Sequence, residues 1–274
     1  MSVDIVTTTY SGNVDKLKLC LSSVLEKTKF VDYKWFLLAN NPDEKLKKVI
    51  HDSIYIDDMM FNDRIETIFN DTNDNSFSQN NNETVVEGNG EYILFLNDDC
   101  QPIVDSWLLN MTRILDTDPK VGVVGSLLLY PNKTIQHCGV FFSHRTNNLP
   151  FHMHYRKPVS EVSSFISVPR YYQAVTAACM LVRRDDFNAV GGFSTDYFYS
   201  FEDTDLCIKI KDKLKKRCVF CSGSILIHHE GISGTQPRLE ENITAFRKNC
   251  SGKYFNDLDF YLNNNKYMVY KEKF

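Results

Sequence analysis

The chain has 274 residues, a formal net charge of −4 and 43% hydrophobic residues, enough to bury a substantial core. Its basic residues are spread along the chain rather than gathered on one face, which argues against a nucleic-acid partner. No apolar run reaches the ~18 residues a membrane helix needs, and the opening "MSVDIVTTTY" has none of the ordered features of a secretory signal, so a cytoplasmic protein is expected, at most peripheral to a membrane.

The eight Cys are scattered through apolar stretches such as "AACMLV" and "DLCIKI", the pattern of buried reduced thiols rather than of a disulfide framework. Cys218 and Cys221, followed by His228 and His229, could be written as a zinc site. Their segments read as strands, however, and strand residues three apart point to opposite faces.

In chain order, "VDIVTTTY" is a β-rich run and Val14, Leu17, Leu21, Val24 and Leu25 then recur at helical spacing, with Asn13 as expected N-cap. "KWFLLAN" reads as a second strand, Lys45 to Asp52 as a short helix, "ETIFN" as a third strand and Gln79 to Glu87 as a helix stopped by "GNG". "YILFL" is a fourth strand and runs directly into "NDD". Short, almost continuous apolar strands alternating with helices predict an α/β fold with a mostly parallel sheet covered on both faces. Ligands bind beyond the carboxyl ends of such strands, where Asp98 and Asp99 fall.

In the second half, "VGVVGSLLLY", "TIQHCGVFF" and "AVTAACMLV" read as strands, with a polar and aromatic loop containing "HMHY" between the last two. No Pro, Gly or Ser-rich linker divides the chain, so one domain over residues 1–274 is expected, with a nucleotide-binding half over about 1–100 and an acceptor and catalytic half beyond it. A helix then ends at the Gly191–Gly192 pair. Leu206, Ile210 and Leu214 recur every four residues and put Glu202 and Asp203 at the amino end of the next helix. "RCVF" and "SILIHH" are the last strands.

"NDD", "FED" and "HH" are thus the chain's concentrations of proton-active and metal-binding groups. Each alone has a plainer reading: a solvated turn, a pair of helix-dipole partners, a structural histidine. Together they suit a divalent cation that needs only one or two carboxylates and leaves positions open for a diphosphate. One imidazole, His228, moves the preference from Mg2+ towards Mn2+. Asp203 is placed to accept a proton from an attacking hydroxyl, and a helix amino end favours its ionised form.

These segments resemble the inverting family 2 glycosyltransferases of the GT-A fold, in particular their rhamnosyltransferase-like branch. "VDIVTTTYSGNVDKLKLCLSSVL" is similar to the opening strand and helix of that family, "GEYILFLNDDC" to its metal-binding aspartate motif, "AACMLVRRDDFNAVGGFSTDYFYSFEDTDLC" to the segment with the catalytic acid, and "HHEGISG" to its late histidine motif. The resemblance implies that Asp99 binds the metal and Asp98 the ribose or the metal, that His228 is the late ligand, that Asp203 is the base and that Glu202 orients the acceptor. Donor contacts are expected from Thr8, Tyr10, Asn40, Asn41, Asn82, Asp98 and Ala177. The partners implied are a nucleotide sugar and a glycan or glycolipid acceptor.

Three departures stand out. Asn40 and Asn41 occupy the place of a usual acidic nucleobase contact, Ser76 replaces a usual Gly before Phe77, and Lys209 replaces a frequent Arg. Two other readings are open. A sugar nucleotidyltransferase would need a Gly-rich basic loop after the first strand, where "TTTYSGN" has one Gly and no cation. A non-catalytic carbohydrate-binding relative would be expected to lose Asp203 or the aspartate pair. The loop from His144 to Tyr155 and the stretch after Lys253 are expected to shape the acceptor side, with core packing as the plainer alternative.

Overall fold

The computed structural model describes residues 2–56, 59–60, 63–71, 76–229, 238–263 and 269–271. β1 (Ser2–Tyr10), α1 (Val14–Lys27), β2 (Asp32–Asn40) and α2 (Glu44–Ile54) open the chain. Val14, Leu17, Leu21 and Val24 are the buried side of α1. Asp43 starts α2 by accepting from the Leu46 backbone N–H at 2.8 Å, so this helix exceeds the expected one at both ends. A short ribbon of β3 (Tyr55–Ile56) and β4 (Met59–Met60) precedes β5 (Ile65–Asn70).

α3 (Phe77–Val85) begins two residues before the expected Gln79 because Ser76 caps it. The Ser76 hydroxyl accepts from the Gln79 N–H and the Gln79 side chain accepts from the Ser76 N–H, a reciprocal capping box. The serine that departs from the family pattern is therefore the start signal of this helix.

β6 (Tyr92–Leu96), β7 (Cys100–Pro102), α4 (Trp107–Thr117) and β8 (Val121–Leu129) follow. The expected strand "TIQHCGVFF" is two pieces, β9 (Ile135–His137) and β10 (Val140–Phe142). It breaks at Gly139, whose φ of +116° and a Tyr172 ring 2.2 Å from where a Cβ would sit admit only glycine. The "HMHY" loop contributes β11 (Pro150–His152), which pairs antiparallel with β10. After α5 (Val159–Ile166) and β12 (Arg170–Tyr172), β13 covers only Cys179–Arg183; of the rest of the expected strand, Ala174 and Val175 are core and Thr176 to Ala178 line a cavity. α6 (Arg184–Val190), α7 (Glu202–Leu214), β14 (Arg217–His228), α8 (Leu239–Cys250) and α9 (Leu258–Asn263) complete the chain.

The main sheet runs β12-β14-β8-β13-β6-β1-β2-β5. β6, β1, β2 and β5 are parallel neighbours, while β13 lies antiparallel between β6 and β8. The alternation of β6 feeds a core on each face. Tyr92, Leu94 and Leu96 pack with α1, α2 and α4, whereas Ile93 and Phe95 pack with α6 and α7. Cys218 and Cys221 fall into these opposite cores, as strand geometry requires, and all eight cysteines are free and buried. Of the described carboxyl-terminal aromatics, Phe255 and Phe260 are about half exposed, at 53% and 51%, while Tyr254 and Tyr261 pack inward. Tyr254 stacks on Phe142 and Tyr261 on Tyr172.

Candidate active site

β6 delivers its carboxyl end to a turn at Asn97 to Asp99, closed by the Cys100 N–H donating to the Asn97 carbonyl at 3.1 Å. Both Asp98 oxygens point back into the protein. Oδ2 accepts from the Thr9 hydroxyl at 2.6 Å and Oδ1 from the Asn13 amide at 2.5 Å. Asn13 therefore does not cap α1 with its side chain; it clamps Asp98. Burial pushes the Asp98 carboxyl up to about 7, with the negative charge of Asp99 adding and the Thr9 and Asn13 hydrogen bonds opposing.

Asp99 turns the other way. Its Oδ1 lies 2.9 Å from Nε2 of His228 and its Oδ2 lies 3.9 Å from the Lys16 ammonium. Burial opposes ionisation of Asp99, but the hydrogen bond and charge of His228, with Lys16, outweigh it and hold the carboxyl below its usual range. Nδ1–H of His228 donates to Oε1 of Gln136. The ring of His229 instead faces the Gln101 side chain at 3.0 Å, and its backbone N–H donates to the Asp99 carbonyl at 2.9 Å. Of the two imidazoles, His228 is thus the one whose ring meets the acid. Residues 230–234 of the late histidine motif lie outside the described residues.

Asp99, Cys100 and His228 bring ligand atoms within 4.8 Å of one another, the group of metal-capable side chains found among the described residues. Cys100 is a poor member. Its thiol is turned to the Ala178 carbonyl, donating to it at 3.2 Å, and burial raises the cost of forming the thiolate that a ligand must be. One carboxylate oxygen and one imidazole nitrogen remain. That donor set fits Mn2+ better than Mg2+. Asp98 stands apart from the group because both of its oxygens are engaged elsewhere.

Asp203 and Glu202 open α7, which is preceded by two non-glycine residues in the left-handed region, Ser200 at φ +79° and Phe201 at +74°. Such a turn costs on the order of 1–3 kcal/mol per residue. The Asp203 carboxylate accepts from the Ala177 N–H at 3.1 Å through Oδ2 and from the Thr204 N–H at 2.6 Å through Oδ1. Asp203, Glu202, Ala177, Gln136 and His228 line one cavity of about 540 Å³, walled on another side by Phe151, His152 and Tyr155. The expected aromatic loop is therefore a wall of the cavity. Glu202 is buried, its Oε2 has no hydrogen-bond partner among the described residues, and burial followed by the nearby Asp203 pushes its carboxyl up to about 8.

Residues 4–190 match the sequence profile of Glycosyl transferase family 2. The chain belongs to this family. Among curated proteins it is 33% identical over 159 residues to the uncharacterized protein y4gI of Sinorhizobium fredii, covering 57% of this chain and 17% of the relative. It is also 33% identical over 147 residues to the O-antigen biosynthesis protein RfbC of Myxococcus xanthus, covering 52% of this chain and 11% of that one. The chain therefore corresponds to a small part of both relatives.

Among solved structures, GalNAc-T7 with UDP, GalNAc and Mn2+ superposes with a TM-score of 0.70 at 14% identity over 90% of this chain and 47% of that one. The mannosyltransferase PcManGT of Pyrobaculum calidifontis, with GDP-Man and Mn2+, gives 0.62 at 12% identity over 85% and 58%. At these identities the likeness is one of fold, and the fold of this family 2 member is GT-A.

The other expected donor contacts of this family 2 chain divide. Thr8 and Tyr10 share the Val6 face of β1; Tyr10 is 54% exposed, and its hydroxyl pKa is raised by burial and then by Asp98 and Asp99. Asn40 and Asn41 sit at the end of β2, the first accepting from the Asn70 side chain at 3.2 Å and the second donating its N–H to the Asn70 carbonyl at 2.6 Å. Asn82 is engaged within the protein. Its amide both donates to the Phe193 carbonyl and accepts from the Phe193 N–H, each at 2.9 Å, so it clasps α3 to the segment after α6 and is not presented to a ligand. Lys209 is likewise internal, donating to the Gly192 carbonyl at 2.7 Å and pairing with Asp205 at 3.4 Å.

Sequence reasoning missed Thr9, Asn13, Lys16 and Gln136. Thr9 was visible in principle, since strand alternation buries it beside Thr7 while Thr8 faces the other way. Gln136 carried no signal beyond its place next to His137.

Proposed function

We propose that this chain is a metal-dependent, inverting glycosyltransferase that moves one sugar from a nucleoside-diphosphate sugar to an acceptor hydroxyl, with residues 1–274 acting as one catalytic unit. The observation that carries the reading is that His228 meets Asp99 at 2.9 Å and lines the same cavity as Asp203. The fit of Asp99 and His228 to Mn2+ supports a cation there; when bound, it would offset negative charge on the departing diphosphate.

Asp203 accepts the proton of the acceptor hydroxyl as that oxygen bonds to the anomeric carbon and the carbon–diphosphate bond breaks. Ala177 and Thr204 hold the carboxylate by their N–H groups, so its direction is settled before substrate arrives. Glu202, neutral below about pH 8, offers a hydrogen bond to the acceptor without competing as a second base. Phe151 and Tyr155 provide aromatic faces against which an acceptor ring can pack. A single in-line displacement of this kind, with Asp203 as base, inverts the anomeric centre.

Thr8 and Tyr10 near the end of β1 and Asn40 and Asn41 at the end of β2 are assigned to the donor, and asparagine amides leave uracil, thymine and guanine all admissible. A glycan or glycolipid acceptor, met in the cytoplasm or at a membrane surface, is in keeping with the RfbC relative. Among the described residues no helix is long and apolar enough to cross a membrane. The test is transfer from a panel of UDP, dTDP and GDP sugars, with and without Mn2+, and NMR assignment of the product anomer. A product that keeps the donor configuration would overturn inversion, and transfer untouched by chelator would overturn the cation.

A further inference from the structure

Gln136 is buried on β9, where neither the aspartate motif nor the acid-bearing segment lies. Its position is set from two sides. Neighbouring Ile135 and His137 pair with Leu129 and Leu128 of β8, and the fully buried His137 ring receives the Thr176 N–H on Nε2 at 3.4 Å and meets Nδ1 of His152 at 2.8 Å. The side chain of Gln136 thus reaches the cavity from a strand whose next residue is anchored on both ring nitrogens.

We infer that Gln136 is a positioning residue for the cation site: its Oε1 takes the Nδ1 proton of His228 and so keeps the Nε2 lone pair turned towards Asp99, where an ion would sit. This rests on the cation reading proposed above. The physical reason is that an imidazole must be neutral to ligate an ion, unlike the charged ring that donates to Asp99, and a neutral imidazole has one proton. Held on Nδ1 by an acceptor, that proton is absent from Nε2, and the ring cannot swing away without losing a buried hydrogen bond. Gln136 need not touch the ion to set its affinity. An outer partner of this kind changes metal affinity by roughly 10–100-fold when removed.

The test is a double-mutant cycle on Mn2+ binding, measured directly by the loss of the free-ion electron paramagnetic resonance signal in the full chain, with melting temperature followed alongside. Gln136→Leu is expected to weaken Mn2+ binding roughly tenfold or more in the wild-type background and to add almost nothing in the His228→Ala background. Gln136→Glu, which retains an acceptor oxygen at the same reach, is expected to recover the binding that Gln136→Leu loses. Unchanged binding in Gln136→Leu, or an equal loss in both backgrounds, would overturn the positioning role alone while the cation reading stands. Unchanged binding in His228→Ala by itself would remove both.

Discussion

The backbone N–H of Ala177 donates to Oδ2 of Asp203 across 3.1 Å, so the carboxylate proposed as base is aimed by the segment entering β13 as well as by its own helix. A base held in this way is separable from the fold around it. Asp203→Asn keeps the size of the side chain but removes the proton acceptor. Turnover is expected to fall by about 10²–10⁴, the usual worth of a general base, while calorimetry gives nearly the same nucleotide affinity with Mn2+ as the parent. Wild-type turnover in this variant would reject the assignment.

The two adjacent histidines should behave differently. His228→Ala removes the ring that faces Asp99, and the Mn2+ concentration giving half-maximal activity is expected to rise at least about tenfold. His229→Ala loses, among the described residues, a contact with Gln101 and should shift the same midpoint little. A Mn2+ titration of both variants side by side decides; equal losses would mean that the choice between the imidazoles is wrong.

Glu202 makes stability depend on pH. Its carboxyl titrates at about 8 in the fold against ~4.3 in an unfolded chain, so between those values the folded protein keeps a proton that the unfolded chain has released. Its favourable contribution is complete below about pH 4, declines as pH rises, by at most ~1.4 kcal/mol per unit, and is lost above about 8. Glu202→Gln should flatten the melting curve against pH over this window, matching the parent near pH 4 and exceeding it at pH 8. As a neutral hydrogen-bonding group it should also keep most of the transfer activity at pH 7. Parallel melting profiles for the two proteins would count against a buried neutral Glu202.

Ser76→Ala removes one half of the capping box of α3. A loss of about 1 kcal/mol is expected, seen as a melting temperature lower by roughly 2–4 °C, with kcat unchanged. Ser76→Gly, the residue usual in the family, should lose only a few tenths of that energy.

Much of this site could be read in the amino-acid order because β6 is so apolar. Five large residues without interruption need both faces covered, which makes the strand central and puts whatever follows it at the sheet edge. The meeting of Asp99 with His228 depends on β14 running parallel to β8 and pairing with β7 through Cys100, a long-range register that no local pattern encodes. Asn13 and Asn82 show the opposite limit. Each has a side chain suited equally to a cap, a ligand or a clasp, and only the packed neighbours, Asp98 for one and the Phe193 backbone for the other, choose among these. Gln136 was hidden for the same reason: amides advertise no chemistry until a partner is in reach.

The Asn97 N–H donates to the Ala178 carbonyl at 3.0 Å, one step beyond the pairing of Leu96 with Cys179. That rung ties the turn bearing Asp99 to Ala178, the chain neighbour of the Ala177 whose N–H holds Asp203. The span between Asp99 and Asp203 is consequently gauged by the sheet, whereas the aromatic wall from Thr146 to Tyr155 hangs on the short strands β10 and β11 outside it. On the function proposed above, such a division would let a lineage retool which acceptor it takes by exchanging the wall, with the spacing of Asp99 and Asp203 carried over intact.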